Sequence, residues 1–313
     1  MNEQNTAGAG VVAAVLAYLV WGMLPLYWKL AGEVPSAEVL AHRVIWSLIF
    51  MVLILILFGK IRIIITEIKQ ACFNKKTFFA IIAASVFISI NWFVFIFAVN
   101  SDRVIEASLG YYINPLVNVL LAMVFLKERL LTLEKVAVLL AFIGVMIMTV
   151  YYGSFPWASF TLAISFASYG LIKKIVPIGA WAGLTIETLL MTPFALLFLI
   201  WIHSFSGVGG SFALTNLDIS LILIGGGIAT AVPLLLFATG ARRITFSLIG
   251  ILQYIAPTMM LILGVFVFHE PFGSIQLLSF CLIWVGLVLF TTVRSRSTFL
   301  IRRKNRLQER SLS

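Results

Sequence analysis

Tyr112-Ile113-Asn114-Pro115, running on through Glu128 to Gly144 and Thr149, is answered 142 positions later by Tyr254-Ile255-Ala256-Pro257, Glu270, Gly286 and Thr291. The matches share one offset without a gap, and among them a proline and an acid stand 13 residues apart in both copies. A period close to half the chain is the mark of an internal duplication, and it governs how the rest is read.

The 313 residues are 62% hydrophobic and only 11% charged, with a mean hydropathy of +1.09. No water-facing globular surface tolerates that composition, so the chain reads as a polytopic membrane protein in contact with the lipid bilayer. A bilayer core of about 30 Å takes about 20 helical residues per crossing. Ten segments fit: residues 11–30, 38–58, 77–98, 104–126, 132–151, 155–174, 181–202, 217–240, 246–268 and 274–293. A closed barrel would alternate apolar and polar residues along each strand, which the run from Trp46 to Phe58 does not do. Helices remain the spanning structure, and the fold class is an all-α integral membrane protein with ten transmembrane helices.

The net charge of +10 is explained by topology and not by nucleic acid. Basic residues gather in the even-numbered gaps, as Lys60, Arg62, Lys69, Lys75 and Lys76, then Lys127, Arg129 and Lys135, then Lys173 and Lys174, then Arg242 and Arg243. The tail from Arg294 holds the largest group, while the odd-numbered gaps are nearly free of them, with Arg103 the exception. The positive-inside rule then puts both termini in the cytoplasm. The first ten residues carry no Lys or Arg and lead into a full-length apolar span, unlike a cleaved secretory signal.

A half with five spans is odd, so its copy enters the membrane from the opposite side. Residues 1–152 and 153–293 are therefore expected to be inverted five-helix repeats, followed by a basic cytoplasmic tail over 294–313. The loop acids agree: Lys127 and Arg129 flank Glu128, whereas His269 and Pro271 flank Glu270. A looser match sets Trp21-Gly22 against Tyr169-Gly170 and Glu38 against Glu187. Inverted repeats are typical of secondary transporters that open a central site alternately to each side.

Polar groups inside hydrocarbon are costly and face a partner or a cavity. Trp21 and Gly22 lie too deep in the first span for an interfacial aromatic belt, whereas Trp28 and Lys29 fit either a belt or a site. Arg43 lies about 7 to 8 Å deeper than Glu38 and needs an acid, backbone carbonyls or an anionic ligand. Asn91 and Trp92 sit near mid-membrane; Tyr112 and Asn114 precede Pro115 as Gln253 and Tyr254 precede Pro257. These read either as interhelical glue or as the lining of a cavity at the two-fold axis. Glu187 is open to two roles, proton exchange or a structural pairing with a cation such as Arg43. The small residues of the sixth span and Gly225-Gly226-Gly227 read as close-packing positions. Cys72 and Cys281 read as structural, with no disulfide expected.

There is no Gly-rich phosphate loop ending in Lys-Ser/Thr, no metal-spaced histidine pair among the three histidines and no serine-nucleophile motif. No cofactor, metal or catalytic residue is expected, which disfavours an ATP-driven pump or a metalloenzyme.

The strings Tyr18-x-x-Trp21-Gly22-x-x-Pro25-x-Tyr27-Trp28-Lys29, Glu38-x-Leu40-Ala41-His42-Arg43-x-x-Trp46-Ser47, Asn91-Trp92, Leu109-Gly110-Tyr111-Tyr112-Ile113-Asn114-Pro115-Leu116 and Gln253-Tyr254-Ile255-Ala256-Pro257 resemble the RarD branch of the EamA-type drug/metabolite transporter superfamily. The resemblance covers nearly the whole chain. It implies a ten-helix carrier of the bacterial inner membrane that moves a small organic metabolite or drug-like solute. Trp21, Arg43, Asn91, Trp92, Tyr112, Asn114, Glu187, Gln253 and Tyr254 are the expected substrate-binding residues. The alternative is a membrane-embedded enzyme or lipid-binding protein without transport. Oligomeric state is open.

Overall fold

A computed structural model describes residues 3–126, 131–152, 155–204, 210–213, 215–241, 243–244 and 252–312. Glu128 with its neighbours Lys127 and Arg129, Arg242 and the start of the ninth expected span lie outside the described residues.

The described chain is all helix and turn. Its helices are α1 (Glu3–Lys29), α2 (Ser36–Leu57), α3 (Ile61–Phe73), α4 (Lys75–Asn100), α5 (Val104–Leu126), α6 (Thr132–Tyr152), α7 (Trp157–Ile175), α8 (Ala180–Ser204), α9 (Leu217–Ala241), α10 (Ile255–Ile262, prolonged by a π turn over Leu263–Val267) and α11 (Ser274–Leu312). Eight are long and apolar enough to cross a membrane: α1, α2, α4, α5, α6, α8, α9 and α11. The expected count was ten. α7 is diluted by serines and ends in Lys173-Lys174, and α10 is apolar but short over its described residues.

The charged stretch after α2 is a further helix where the sequence reading had a loop. In α3, Ile61, Ile64, Ile68 and Ala71 recur at helical spacing and pack inward, with Ile64 and Ala71 buried and Arg62, Glu67 and Lys69 between them. α11 likewise continues past the bilayer-length segment to Leu312, through a run without Pro or Gly to stop it.

The packing has a simple order. α6 lies along α11 and α5 against α10; α2 meets α8; α1 packs on α9 and α10; α7 packs on α4 and α5; α2 packs on α9, and α4 on α8. Exchanging α1 with α7, α2 with α8, α4 with α9, α5 with α10 and α6 with α11 maps this set of neighbours onto itself.

Residue contacts give the directions. A Cβ on Gly144 would meet the Ser279 carbonyl at 2.7 Å, and one on Gly286 would meet the Ala137 carbonyl at 2.7 Å. Gly286 and Ser279 are the 142-offset partners of Gly144 and Ala137, so the contact is reciprocal and α6 and α11 run antiparallel. On α5, Ile105 lies against Gly264, while Ser108 Oγ donates to the Pro257 carbonyl at 2.8 Å. Further along, the Tyr112 and Tyr254 rings stack at 6.3 Å. These helices also run antiparallel, and Tyr112 faces Tyr254, 142 positions further on.

Candidate functional site

Gly225, Gly226 and Gly227 open the centre of the bundle to close approach. Cβ atoms there would meet the Tyr27 hydroxyl at 2.5 Å, the Trp28 ring at 3.0 Å and the backbone of Trp46 closer still. Only glycine lets α9 lie this near α1 and α2, and that brings Arg43 of α2 between two helices carrying indoles.

Arg43 is 4% exposed. Its guanidinium carbon lies 4.3 Å from the Trp92 ring centre and 5.1 Å from that of Trp28, and its Nε donates to Thr230 Oγ1 at 2.8 Å. Thr230 Oγ1 in turn donates to the Gly226 carbonyl at 2.8 Å. The indole faces attract the cation but offer no in-plane acceptor, and Arg43 Nη1 has no hydrogen-bond partner among the described residues. Trp28 Nε1 is also buried without one. The described ion pairs are Lys29–Asp102, Arg103–Glu106 and Lys173–Glu187, and none includes Arg43.

Tyr111, within electrostatic reach of Arg43, donates to Asn91 Oδ1 at 3.2 Å. Asn91 Nδ2 donates to the Leu162 carbonyl and to Ser165 Oγ, at 3.0 and 3.2 Å, so this amide fastens α4 to α7. Asn114 does the same for α5 and α7, donating to the Ala163 carbonyl at 3.0 Å while accepting from Asn118. Trp21 stands two turns from Trp28 on α1, against Tyr18 and Phe237.

Two other groups form away from Arg43. Glu187 receives Lys173 Nζ at 2.8 Å and the Tyr169 hydroxyl at 3.1 Å, so its cation is Lys173 and not Arg43. Aromatic rings connect this pair to the Arg43 cluster, from Tyr111 to Phe166 at 6.1 Å and from Phe166 to Tyr169 at 6.2 Å. Tyr112 and Tyr254 belong to the α5–α10 seam, where the Tyr112 and Thr258 hydroxyls meet at 2.7 Å; Gln253 precedes Tyr254 and is itself engaged. Gly22 is a packing position, since a Cβ there would meet Met259 Cβ at 2.8 Å.

Thr230, a lone hydroxyl one turn after the glycine run, gives no signal in the sequence, and Lys173, expected to mark a cytoplasmic end, lies within α7. Trp28 fits belt or site by sequence and lies in the site. The signal for Trp28 was its seven-residue spacing from Trp21, which puts both indoles on one helix face.

The bundle, with eight described helices long and apolar enough to cross a bilayer and a cation buried among them, is that of a multi-pass α-helical membrane protein. The model of the EamA-like transporter family matches residues 8–150 and again 156–292, and the chain belongs to that family, in its RarD branch. It is 45% identical to an uncharacterized transporter, YojE, of Bacillus subtilis, over 90% of this chain and 93% of the relative. It is 41% identical to the protein RarD of Escherichia coli, with 90% and 93% covered, and 28% identical to a Pseudomonas aeruginosa protein called chloramphenicol-sensitive protein RarD, with the same coverage. A solved crystal structure shares the fold at a TM-score of 0.58 and 19% identity, covering 92% of this chain and 98% of that one.

Proposed function

We propose that this transporter works as a secondary carrier of the bacterial inner membrane, moving a small organic solute by alternating access between two inverted five-helix halves, residues 1–152 and 153–293, with ten crossings and both termini cytoplasmic. The observation that carries the reading is the exchange relation. The most extensive helix–helix contacts of the two halves exchange with one another, and α6 meets α11 through reciprocal glycine contacts on antiparallel helices. Five crossings in each half make such a relation an inversion, and an inverted pair has two equivalent packings that open opposite sides. The double match of one family model supports the duplication.

Arg43, Trp92 and Trp28 form the solute-facing centre. Trp21 extends the aromatic wall, Asn91 and Asn114 brace it, and the Lys173–Glu187 pair and the Tyr112–Tyr254–Gln253 seam move as the halves rock. Purified protein in liposomes is expected to exchange at least one member of a panel of metabolites and drug-like compounds, chloramphenicol included, faster than empty vesicles do. Retention equal to empty vesicles across the whole panel would sink the proposal.

A further inference from the structure

We infer that Arg43 is the docking point of a small organic monoanion, its carboxylate taken by the free Nη1 edge of the guanidinium between the Trp28 and Trp92 indoles. The inference rests on the carrier reading and names the class of solute.

The charge inventory of the interior is its basis. Each buried acid among the described residues is engaged elsewhere. Glu38 accepts from the backbone N–H and hydroxyl of Ser211 at 2.6 and 2.9 Å, and Glu270 from the N–H groups of Val104 and Ile105 at 2.5 and 2.8 Å. Glu134 accepts from Leu131 N at 2.9 Å, and Glu187 holds Lys173. Among the described residues Arg43 has one neutral hydroxyl and two ring faces and no acid, so its positive charge has no described counter-charge in an apolar setting.

The two unpartnered groups on the guanidinium and on the indole beside it have one polarity. Arg43 Nη1 and Trp28 Nε1 can only donate, so a ligand that completes them must bring acceptors. A carboxylate supplies two, in the geometry a guanidinium edge prefers, and cancels one charge; a dianionic phosphate would leave a surplus negative charge. No described acid in the cluster is free to receive an ammonium group, so a net anion fits better than a zwitterion. The indoles narrow the space around the guanidinium and keep water from screening it.

The test uses the full chain purified in detergent, with its thermal unfolding midpoint read against butanoate, benzoate and 3-phenylpropanoate, each beside its matched amide, and against phenylalanine. At least one acid should raise the midpoint by about 3 °C or more at saturation, with its amide giving under a third of that shift. Phenylalanine should fall well short of 3-phenylpropanoate. Arg43→Met should raise the midpoint of the ligand-free protein, because an uncompensated buried charge is removed, and abolish the response to acids; Arg43→Lys should keep a weakened response. The inference is overturned by silence from all three acids, by amides or phenylalanine that match the acids, or by an Arg43→Met protein that unfolds earlier without ligand. Acids that bind as described while liposomes retain every solute would leave the anion site standing and remove the carrier reading. Transport that proceeds at the same rate in Arg43→Met and without regard to solute charge would do the reverse.

Discussion

Glu270 follows His269, which adopts φ 53°, and the chain end it reaches across to begins after Asp102, also at φ 53°. Such left-handed turns are uncomfortable for non-glycine residues and persist where surrounding contacts hold them. Here the contact is a carboxylate that accepts from both Val104 N and Ile105 N, filling two donors left open at the start of α5 and sitting at the positive end of its dipole. Burial pushes the Glu270 carboxyl above its usual range, and the two N–H groups pull it some of the way back. Glu270→Ala should therefore cost about 1–3 kcal/mol, because both donors stay buried without an acceptor. Glu270→Gln, which keeps one acceptor oxygen, should cost clearly less, and unfolding midpoints of the two purified variants decide the order. From sequence alone Glu270 takes a loop or helix-end place, because an acid beside a proline after an apolar span has few other uses. That the helix being capped starts 166 positions earlier is invisible there, since a cap between halves leaves no local pattern. Arg43 was legible for the same reason in reverse: a guanidinium deep in an apolar span is costly wherever it points. Thr230 was not, because a lone hydroxyl in a helix can satisfy itself on its own backbone, as Thr230 does on Gly226 while also accepting from Arg43.

The 142-residue period shows most clearly at the element scale in the α6–α11 pair. Gly144 and Gly286 stand at matched positions of it, and each places its missing Cβ 2.7 Å from a backbone carbonyl of the other helix. A backbone atom cannot rotate away as a side chain can, so any Cβ separates the helices locally. Gly144→Ala and Gly286→Ala should each cost about 1–3 kcal/mol, the range seen for overpacking a tight interface. Gly170→Ala should be near neutral, since a Cβ there meets nothing closer than Asn118 at 3.9 Å. Unfolding midpoints that fall for the first two variants and hold for the third would bear this out; a Gly170 effect as large as the others would mean helix position, and not close approach, sets the cost. The seam was legible as matched letters because both of its sides keep one spacing. α3 was not, since its charges read as a topology signal and hid the helical rhythm of Ile64, Ile68 and Ala71 beneath them.

At the scale of the molecule, contacts close the bundle at both ends of the Arg43 cluster. Where α1 and α4 finish, Lys29 pairs with Asp102, Glu38 holds Ser211, and Phe212 lies 5.0 Å from the His42 ring and 6.2 Å from that of Trp46, over the helix that carries Arg43. Where α3 lies, Glu67 accepts from Gly179 N, Lys60 stands 4.9 Å over Trp181, and Lys173 pairs with Glu187. Glu38 to Ser211 and His42 to Phe212 cross between residues 1–152 and 153–293 at one end, as Glu67 to Gly179 and Lys60 to Trp181 do at the other, and in the mechanism proposed above these are the contacts that part. Alternating access requires that the two ends open in turn, never together. Ser89 offers a probe: it is buried one turn from Trp92, and its Oγ has no hydrogen-bond partner among the described residues. With the exposed Cys72 and Cys281 replaced by serine, Ser89→Cys in sealed membrane vesicles should react with a membrane-impermeant thiol reagent added from either side, in right-side-out and inverted preparations alike. Cross-linking Glu38→Cys to Ser211→Cys, which ties residues 1–152 to 153–293 at that end, should remove labelling from that end alone and leave the other intact, because an end held shut cannot take its turn open. Labelling confined to one side in both vesicle types, with or without the cross-link, would describe a fixed one-mouthed cavity and exclude the two-packing mechanism.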